Sequence, residues 1–303
     1  MTSEKKNTIP FLHPGQTIGL IAPARKISKQ ELQPAIEIIK RRGYKIHLAT
    51  HIWEQENQFA GTDNQRAADF QQMIINPEIK AVFSVRGGYG SIRIVDKIDF
   101  TPLISNPKWL VGYSDFTVFH CHLSRLKVPT IHATMPINFT GNTQESLNSL
   151  FNMLEGKKTE YFFSTNVLNR NGKAKGKLIG GNLSVLYSLL GSDSFPETKG
   201  NILFIEDLDE YLYHIDRMMM ALKRAGKLEN LAGLLVGGMT QMHDNSVPFG
   251  KNAETIIHEI VSGYSYPVAF GFPAGHIQDN RAIKFGREVS FTVANQQSNI
   301  IFI

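Results

Sequence analysis

The sequence predicts an α/β protein. Its first half builds a mostly parallel sheet covered on both faces by helices, and its second half is a mixed α/β region of less regular topology. Three observations predict this. Apolar strand-like runs alternate with helical periods from Thr17 to Gly112, the pattern of βαβ units. Residues 156–175 are polar, rich in Lys, Thr, Asn and Gly, and lack a helical period, so they read as a crossover. The remaining chain alternates strands and helices again, then closes in two strand-like runs at its end. The expected domains are therefore residues 1–155 and 176–303.

Thr17-Ile18-Gly19-Leu20-Ile21-Ala22 reads as a buried strand. Ser28 then caps a helix, with Glu31 at the capping-box position and Leu32, Ala35, Ile36 and Ile39 keeping the period. Gly43 stops it. Residues 44–49 form a second strand. Thr62 with Gln65 opens another helix, with Ala67, Phe70, Met73 and Ile74 on one face. Residues 80–85 and 109–112 are the third and fourth strands. In the second half, strands are expected at 178–180, 201–205, 231–236, 267–270, 288–293 and 299–303. Helices are expected at 183–190, 213–225 and 253–261.

Composition narrows the function classes. The 303 residues suit about two domains. A hydrophobic content of 42% and a charged content of 19% are those of a globular protein with ample core. The net charge of +5 is spread over short groups such as Lys40-Arg41-Arg42, with no long basic tract, so no nucleic-acid partner is expected. No apolar run approaches the roughly 18–20 residues that span a bilayer, so no membrane association is expected. Residues 1–7 carry an acidic residue and no apolar core of a signal peptide. The single cysteine, Cys121, excludes an intrachain disulfide, and a cytoplasmic location follows as the expectation. His120 and His122 lie two apart on a helix and point to different faces. With no HExxH or CxxC, no metal and no cofactor are expected.

Three segments carry candidate chemistry, each at the carboxyl end of an expected strand, where functional groups of parallel sheets collect. In Gly112-Tyr113-Ser114-Asp115 the serine sits on a sharp strand-to-helix turn. It reads as a nucleophile beside helix N–H groups, or as an ordinary helix cap. Glu206 ends the apolar run 201–205, with Asp209 and Glu210 read as a solvated acidic loop. His276 lies in the Gly/Pro-rich loop Gly271-Phe272-Pro273-Ala274-Gly275-His276 and reads as a catalytic histidine, or as an ordinary surface one. The order serine, acid, histidine is that of α/β-hydrolases, although Phe116 breaks the GxSxG pattern. Arg86-Gly87-Gly88-Tyr89-Gly90 follows the third strand and lacks both phosphate-loop patterns. It reads as a plain glycine turn, or as a loop lending an N–H to an oxyanion. Cys121 reads as a small buried hydrophobe.

Together these motifs resemble the LD-carboxypeptidase family, serine peptidases that include muramoyltetrapeptide carboxypeptidases and microcin C self-immunity peptidases. The resemblance spans nearly the whole chain. It rests on Gly15–Ala24, the 86–90 loop, Gly112-Tyr113-Ser114-Asp115, Gly180-Gly181-Asn182-Leu183, Glu206-Asp207 with Tyr213-His214-Ile215-Asp216-Arg217, and the His276 loop. It implies Ser114 as nucleophile, His276 as general base and Glu206 as its orienting acid. The N–H groups of Gly88 and Asp115 would form the oxyanion hole. It further implies a Rossmann-like N-terminal domain, a C-terminal α/β domain, and a homodimer. One departure is visible: Leu212 and His214 flank Tyr213, where members often carry proline and arginine.

The expected function is removal of the C-terminal D-alanine from murein tetrapeptides during cell-wall recycling, through an acyl-enzyme. Two alternatives stand beside it: a self-immunity amidase acting on aminoacyl-nucleotides, and a non-catalytic ligand-binding α/β protein. A carboxypeptidase must also hold a free carboxylate, and Arg86 is the candidate, against a structural ion pair.

Overall fold

Thirteen strands and eight α-helices of the computed structural model, which describes residues 9–303, divide between two sheets. The N-terminal stretch 1–7 considered above lies outside the described residues. The first half runs β1 (Thr17–Ile21), α1 (Lys29–Arg41), β2 (Lys45–Leu48), α2 (Asp63–Ile75), β3 (Ile79–Ser84), α3 (Pro102–Ser105), β4 (Trp109–Gly112), α4 (Thr117–Arg125), β5 (Thr130–His132) and α5 (Gln144–Leu154). The second runs β6 (Glu160–Ser164), β7 (Gly172–Asn182), α6 (Leu183–Ser188), β8 (Ile202–Leu208), α7 (Leu212–Arg224), β9 (Gly233–Thr240), α8 (Ala253–Ile260), β10 (Val268–Ala269), β11 (Ile283–Phe285), β12 (Glu288–Val293) and β13 (Gln297–Phe302).

The first sheet has the order β11-β5-β4-β3-β1-β2, with β1 to β5 all parallel and β11 antiparallel at the edge. The second has the order β10-β9-β8-β7-β12-β13-β6. Its β7–β10 part is parallel and its β7-β12-β13-β6 part antiparallel. The α/β class is as the sequence predicts. Both capping boxes form as read, Ser28 with Glu31 and Thr62 with Gln65.

Three strands escaped the sequence reading. β5 has three residues, all buried, too few to show a period. β6 lies inside 156–175, the segment read as a crossover. Tyr161 and Phe163 point inward, but Phe162 is half exposed and masks the alternation. β11 belongs to the second half of the chain yet pairs with β5, Ile283 opposite His132. The loop 270–282 therefore runs from one sheet to the other.

The two sheets also meet where α4 packs on β7. Thr117 Oγ1 accepts from Asn182 N at 3.0 Å. Gly181 (φ +140°) permits this approach, because a Cβ there would stand 2.4 Å from Thr117 Oγ1. Within the first half, Phe70, Phe116 and Phe119 pack ring on ring, Phe70 to Phe119 at 4.6 Å and Phe116 to Phe119 at 5.0 Å. Each buried ring of this size contributes about 1.5–3 kcal/mol by leaving water. No helix among the described residues is long and apolar enough to cross a membrane.

Candidate active site

The carboxyl ends of β1, β3 and β4 from the first sheet, and of β8 and the β10–β11 loop from the second, line one cavity of about 600 Å³. Ser114, Gly88 and Arg86 enter it from the first sheet, and His276 from the loop between sheets.

Ser114 follows β4, whose four residues are all buried. Its backbone is left-handed, with φ +63°, an arrangement that costs a non-glycine residue energy and is held by its surroundings. Phe116, two residues on, folds back onto β4. A Cβ on Gly112 would meet Phe116 Cγ at 2.5 Å, so only glycine lets the turn close so tightly. The Ser114 hydroxyl has no hydrogen-bond partner among the described residues and faces the cavity.

The glycine loop packs directly on this turn. A Cβ on Gly87 would stand 3.1 Å from Ser114 Cβ and 3.2 Å from its Oγ. The loop is tied from below. The buried Asp115 carboxylate accepts from Ser91 N at 2.8 Å, and the buried Arg66 donates to Gly90 O at 3.0 Å. Burial pushes the Asp115 carboxyl above its ordinary range. The Asp115 side chain is thus a strut of the loop, while its backbone lies in the single helical turn Ser114–Phe116.

Glu206 is fully buried at the end of β8. Its Oε2 accepts from His276 N at 3.1 Å and lies 2.7 Å from His276 Nδ1. Gly275, at φ +108°, brings the loop backbone against the carboxylate. The loop is pinned by Gly275 N donating to Asn280 Oδ1 at 2.9 Å and by Thr240 Oγ1 donating to His276 O at 3.1 Å. From the first half, Asn142 Nδ2 donates to Gln278 O at 2.8 Å. The Tyr113 ring stands 4.8 Å from the His276 ring, centre to centre. Burial alone would lower the pKa of His276, but the charge and hydrogen bond of Glu206 outweigh it and raise it above the ordinary imidazole value. A carboxylate on Nδ1 leaves Nε2 as the ring nitrogen free to exchange a proton.

The structure thus brings the sequence-predicted Ser114, His276, Gly88 and Arg86 to one cavity, with Glu206 and Asp115 buried behind them. Arg86 is engaged: its Nη1 lies 3.2 Å from Glu31 Oε1 and donates to Lys26 O at 3.1 Å. Asp209 and Glu210, read as a solvated loop, line the cavity and pair with His243 and His214. Arg25 and Asp207 line it too and were missed. The available signal was their position just after β1 and at the end of β8. Asp207 accepts from Asn182 Nδ2 at 2.8 Å and from Ser184 N at 2.9 Å, and burial, with Glu206 beside it, raises its pKa to about 7.

The other candidates are structural. His120 bonds Thr130 Oγ1 at 2.7 Å and Gly112 O at 3.0 Å, while His122 turns to Ser194 Oγ at 2.9 Å. Burial lowers the His120 pKa to about 3, so it is a neutral buttress of the β4 end. Cys121 is buried, and burial pushes its thiol up.

This arrangement has relatives. A family model described as the LD-carboxypeptidase N-terminal domain matches residues 18–133, and one described as the LD-carboxypeptidase C-terminal domain matches residues 175–291. A probable murein peptide carboxypeptidase of Bacillus subtilis is 34% identical over 300 residues, which cover 95% of this chain and 92% of the relative. The microcin C7 self-immunity protein MccF of Escherichia coli is 25% identical, over 94% of this chain and 93% of that protein. The crystal structure of a muramoyltetrapeptide carboxypeptidase from Oxalobacter formigenes superposes with a TM-score of 0.88 at 27% identity, covering 95% of this chain and 98% of that one. Matches to both halves, and identity of this degree along nearly a whole relative, carry one conclusion: the chain belongs to the LD-carboxypeptidase family and is a peptidase.

Proposed function

We propose that this peptidase removes the C-terminal D-alanine from murein tetrapeptides by serine catalysis, as a step of cell-wall recycling in the cytoplasm. The observation that carries the reading is the buried Glu206–His276 pair opening into the cavity that holds Ser114 on its strained turn. The printed names of the murein-directed relatives support the substrate class.

In this reading His276 Nε2 takes the Ser114 proton as Oγ attacks the carbonyl carbon of the penultimate residue. A rotation of the Ser114 side chain toward the imidazole precedes the attack, since apo enzymes often tighten this contact only with substrate bound. The N–H groups of Gly88 and Asp115 receive the oxyanion. His276 then gives its proton to the leaving amine, and D-alanine departs. Water, deprotonated by His276, attacks the ester; the tripeptide leaves and Ser114 recovers its proton. Glu206 holds the tautomer and offsets the charge of the imidazolium.

The alternative of aminoacyl-nucleotide hydrolysis draws on the likeness to MccF. It is the weaker reading, because Tyr113 is the aromatic residue of the cavity lining beside His276 and is itself packed on that ring. A homodimer remains part of the proposal. The test is incubation with a murein tetrapeptide ending in D-alanine, read by mass spectrometry, with Ser114→Ala as control. Loss of one alanine by the wild type alone supports the reading. Equal loss by both removes Ser114 from its role. No loss by either sinks the murein assignment.

A further inference from the structure

We infer that Arg25, not Arg86, receives the substrate's terminal carboxylate and so makes this enzyme a carboxypeptidase; the inference rests on the function proposed above. Three observations carry it.

The first is position. Arg25 follows β1 at the carboxyl edge of the first sheet, and its N–H bonds Gly87 O at 3.4 Å. Its side chain lies across Gly88 into the cavity. A Cβ on Gly88 would stand 2.5 Å from Arg25 Cδ and 2.8 Å from its Nε. Gly88 is the proposed oxyanion donor, and the terminal carboxylate of a substrate lies one residue beyond the attacked carbonyl. One residue of extended chain spans at most about 3.3–3.6 Å, so a group crossing Gly88 is at the right remove.

The second is availability. The Arg25 guanidinium has no ion pair or hydrogen bond with any described residue, whereas Arg86 has both. The partner of Arg86 is itself held: Glu31 Oε2 accepts from Ser28 N at 2.8 Å in the capping box of α1. The charge of Arg86 is therefore already answered within the fold. An unpaired guanidinium presents its donor fork to an incoming carboxylate, which it matches in a bidentate way.

The third is the charge of the remaining lining. Asp207, Asp209 and Glu210 enter from the second sheet. The carboxylates of Asp209 and Glu210 offer an incoming carboxylate no hydrogen-bond donor, whereas the Arg25 guanidinium offers several. The leaving residue then lies over Gly88, and the rest of the peptide runs along the β8 side.

The test compares the tetrapeptide ending in a free acid with the same peptide ending in D-alaninamide. Wild type, Arg25→Ala, Arg25→Lys and Arg86→Ala are assayed for release of the terminal residue, with thermal melts to establish folding. The wild type is expected to prefer the acid. Arg25→Ala should lower kcat/KM on the acid by about 10- to 100-fold, mostly in KM, and lower the amide rate far less, so that the preference for the acid collapses. Arg25→Lys should keep part of the preference and Arg86→Ala most of it. If Arg25→Ala keeps the wild-type preference while the wild type cleaves the acid, the inference about Arg25 is overturned and the functional reading stands. If the wild type cleaves neither peptide, the functional reading falls and takes this inference with it.

Discussion

The backbone of Gly275 and the carboxylate of Glu206 occupy adjoining space: a Cβ on residue 275 would stand 2.6 Å from Glu206 Oε2. The contact lets the next residue, His276, give both its N–H and its Nδ1 to one carboxylate oxygen. Gly275→Ala should separate the pair. It adds backbone strain at φ +108° to the steric clash, and a loss of about 1–3 kcal/mol in stability is expected from that strain. Peptide release should fall by more than the stability loss explains. Unchanged turnover in a variant whose Tm has dropped would show that the Glu206–His276 contact is not required.

Glu206→Gln should change the pH profile as well as the rate. His276 works as a base only when neutral, and its pKa is raised by Glu206 against the opposing effect of burial. In the wild type, kcat/KM should rise with pH through a value above about 6.5, the ordinary imidazole pKa. With the charge removed, burial dominates and the acidic limb should move to lower pH. The plateau should fall by about 10²- to 10⁴-fold as the imidazole loses its orienting charge. The same linkage acts on stability. The contribution of the pair is present in full below about pH 6.5 and is lost as pH rises through the raised folded-state value. An acidic limb that stays in place in the variant would assign it to another group.

Ser114 allows strain to be separated from chemistry. Ser114→Ala and Ser114→Gly both remove the hydroxyl and should both abolish turnover. They differ in the cost of φ +63°. The glycine variant should be the more stable by about 1 kcal/mol, because a left-handed backbone disfavours any residue with a Cβ. Thermal melts of the two read this directly, and equal Tm values would mean that the turn relaxes.

Asp115→Ala should release the glycine loop. Ser91 N then loses its acceptor at 2.8 Å, and a buried N–H without a partner costs about 1–3 kcal/mol. Limited proteolysis between residues 86 and 91 should speed up, and kcat should fall as the Gly88 N–H loses its position. Asp115→Asn keeps an acceptor and should recover part of both. A variant with an unaltered proteolysis pattern would show that Arg66 alone holds the loop through Gly90 O.

Local signals read well in this chain because local forces produce them. Ser28 with Glu31, and Thr62 with Gln65, satisfy helix-end N–H groups within four residues, so a short window contains the whole interaction. Ser114, Glu206 and His276 were visible for a similar reason. Each lies at the end of an apolar run or in the loop that follows one, and strand ends are where parallel sheets expose functional groups. Arg25 was not visible. Its separation from Arg86 lies in Glu31, 55 residues before Arg86 in the chain, and in the path of a side chain over Gly88.

Short-range patterns along the chain specify the α/β class, the places of most strands and helices, and three residues fit for hydrolytic chemistry. Periodicity and capping are short-range, and they need no knowledge of the final packing. The return of β11 to the first sheet, which carries the His276 loop across between the sheets, depends instead on long-range packing. Long-range packing also brings Glu206 to an imidazole 70 residues away, and Phe116 closes on Gly112 beside the left-handed Ser114. These depend on close packing between segments distant in the chain, where a fraction of an ångström at one glycine decides whether the contact exists.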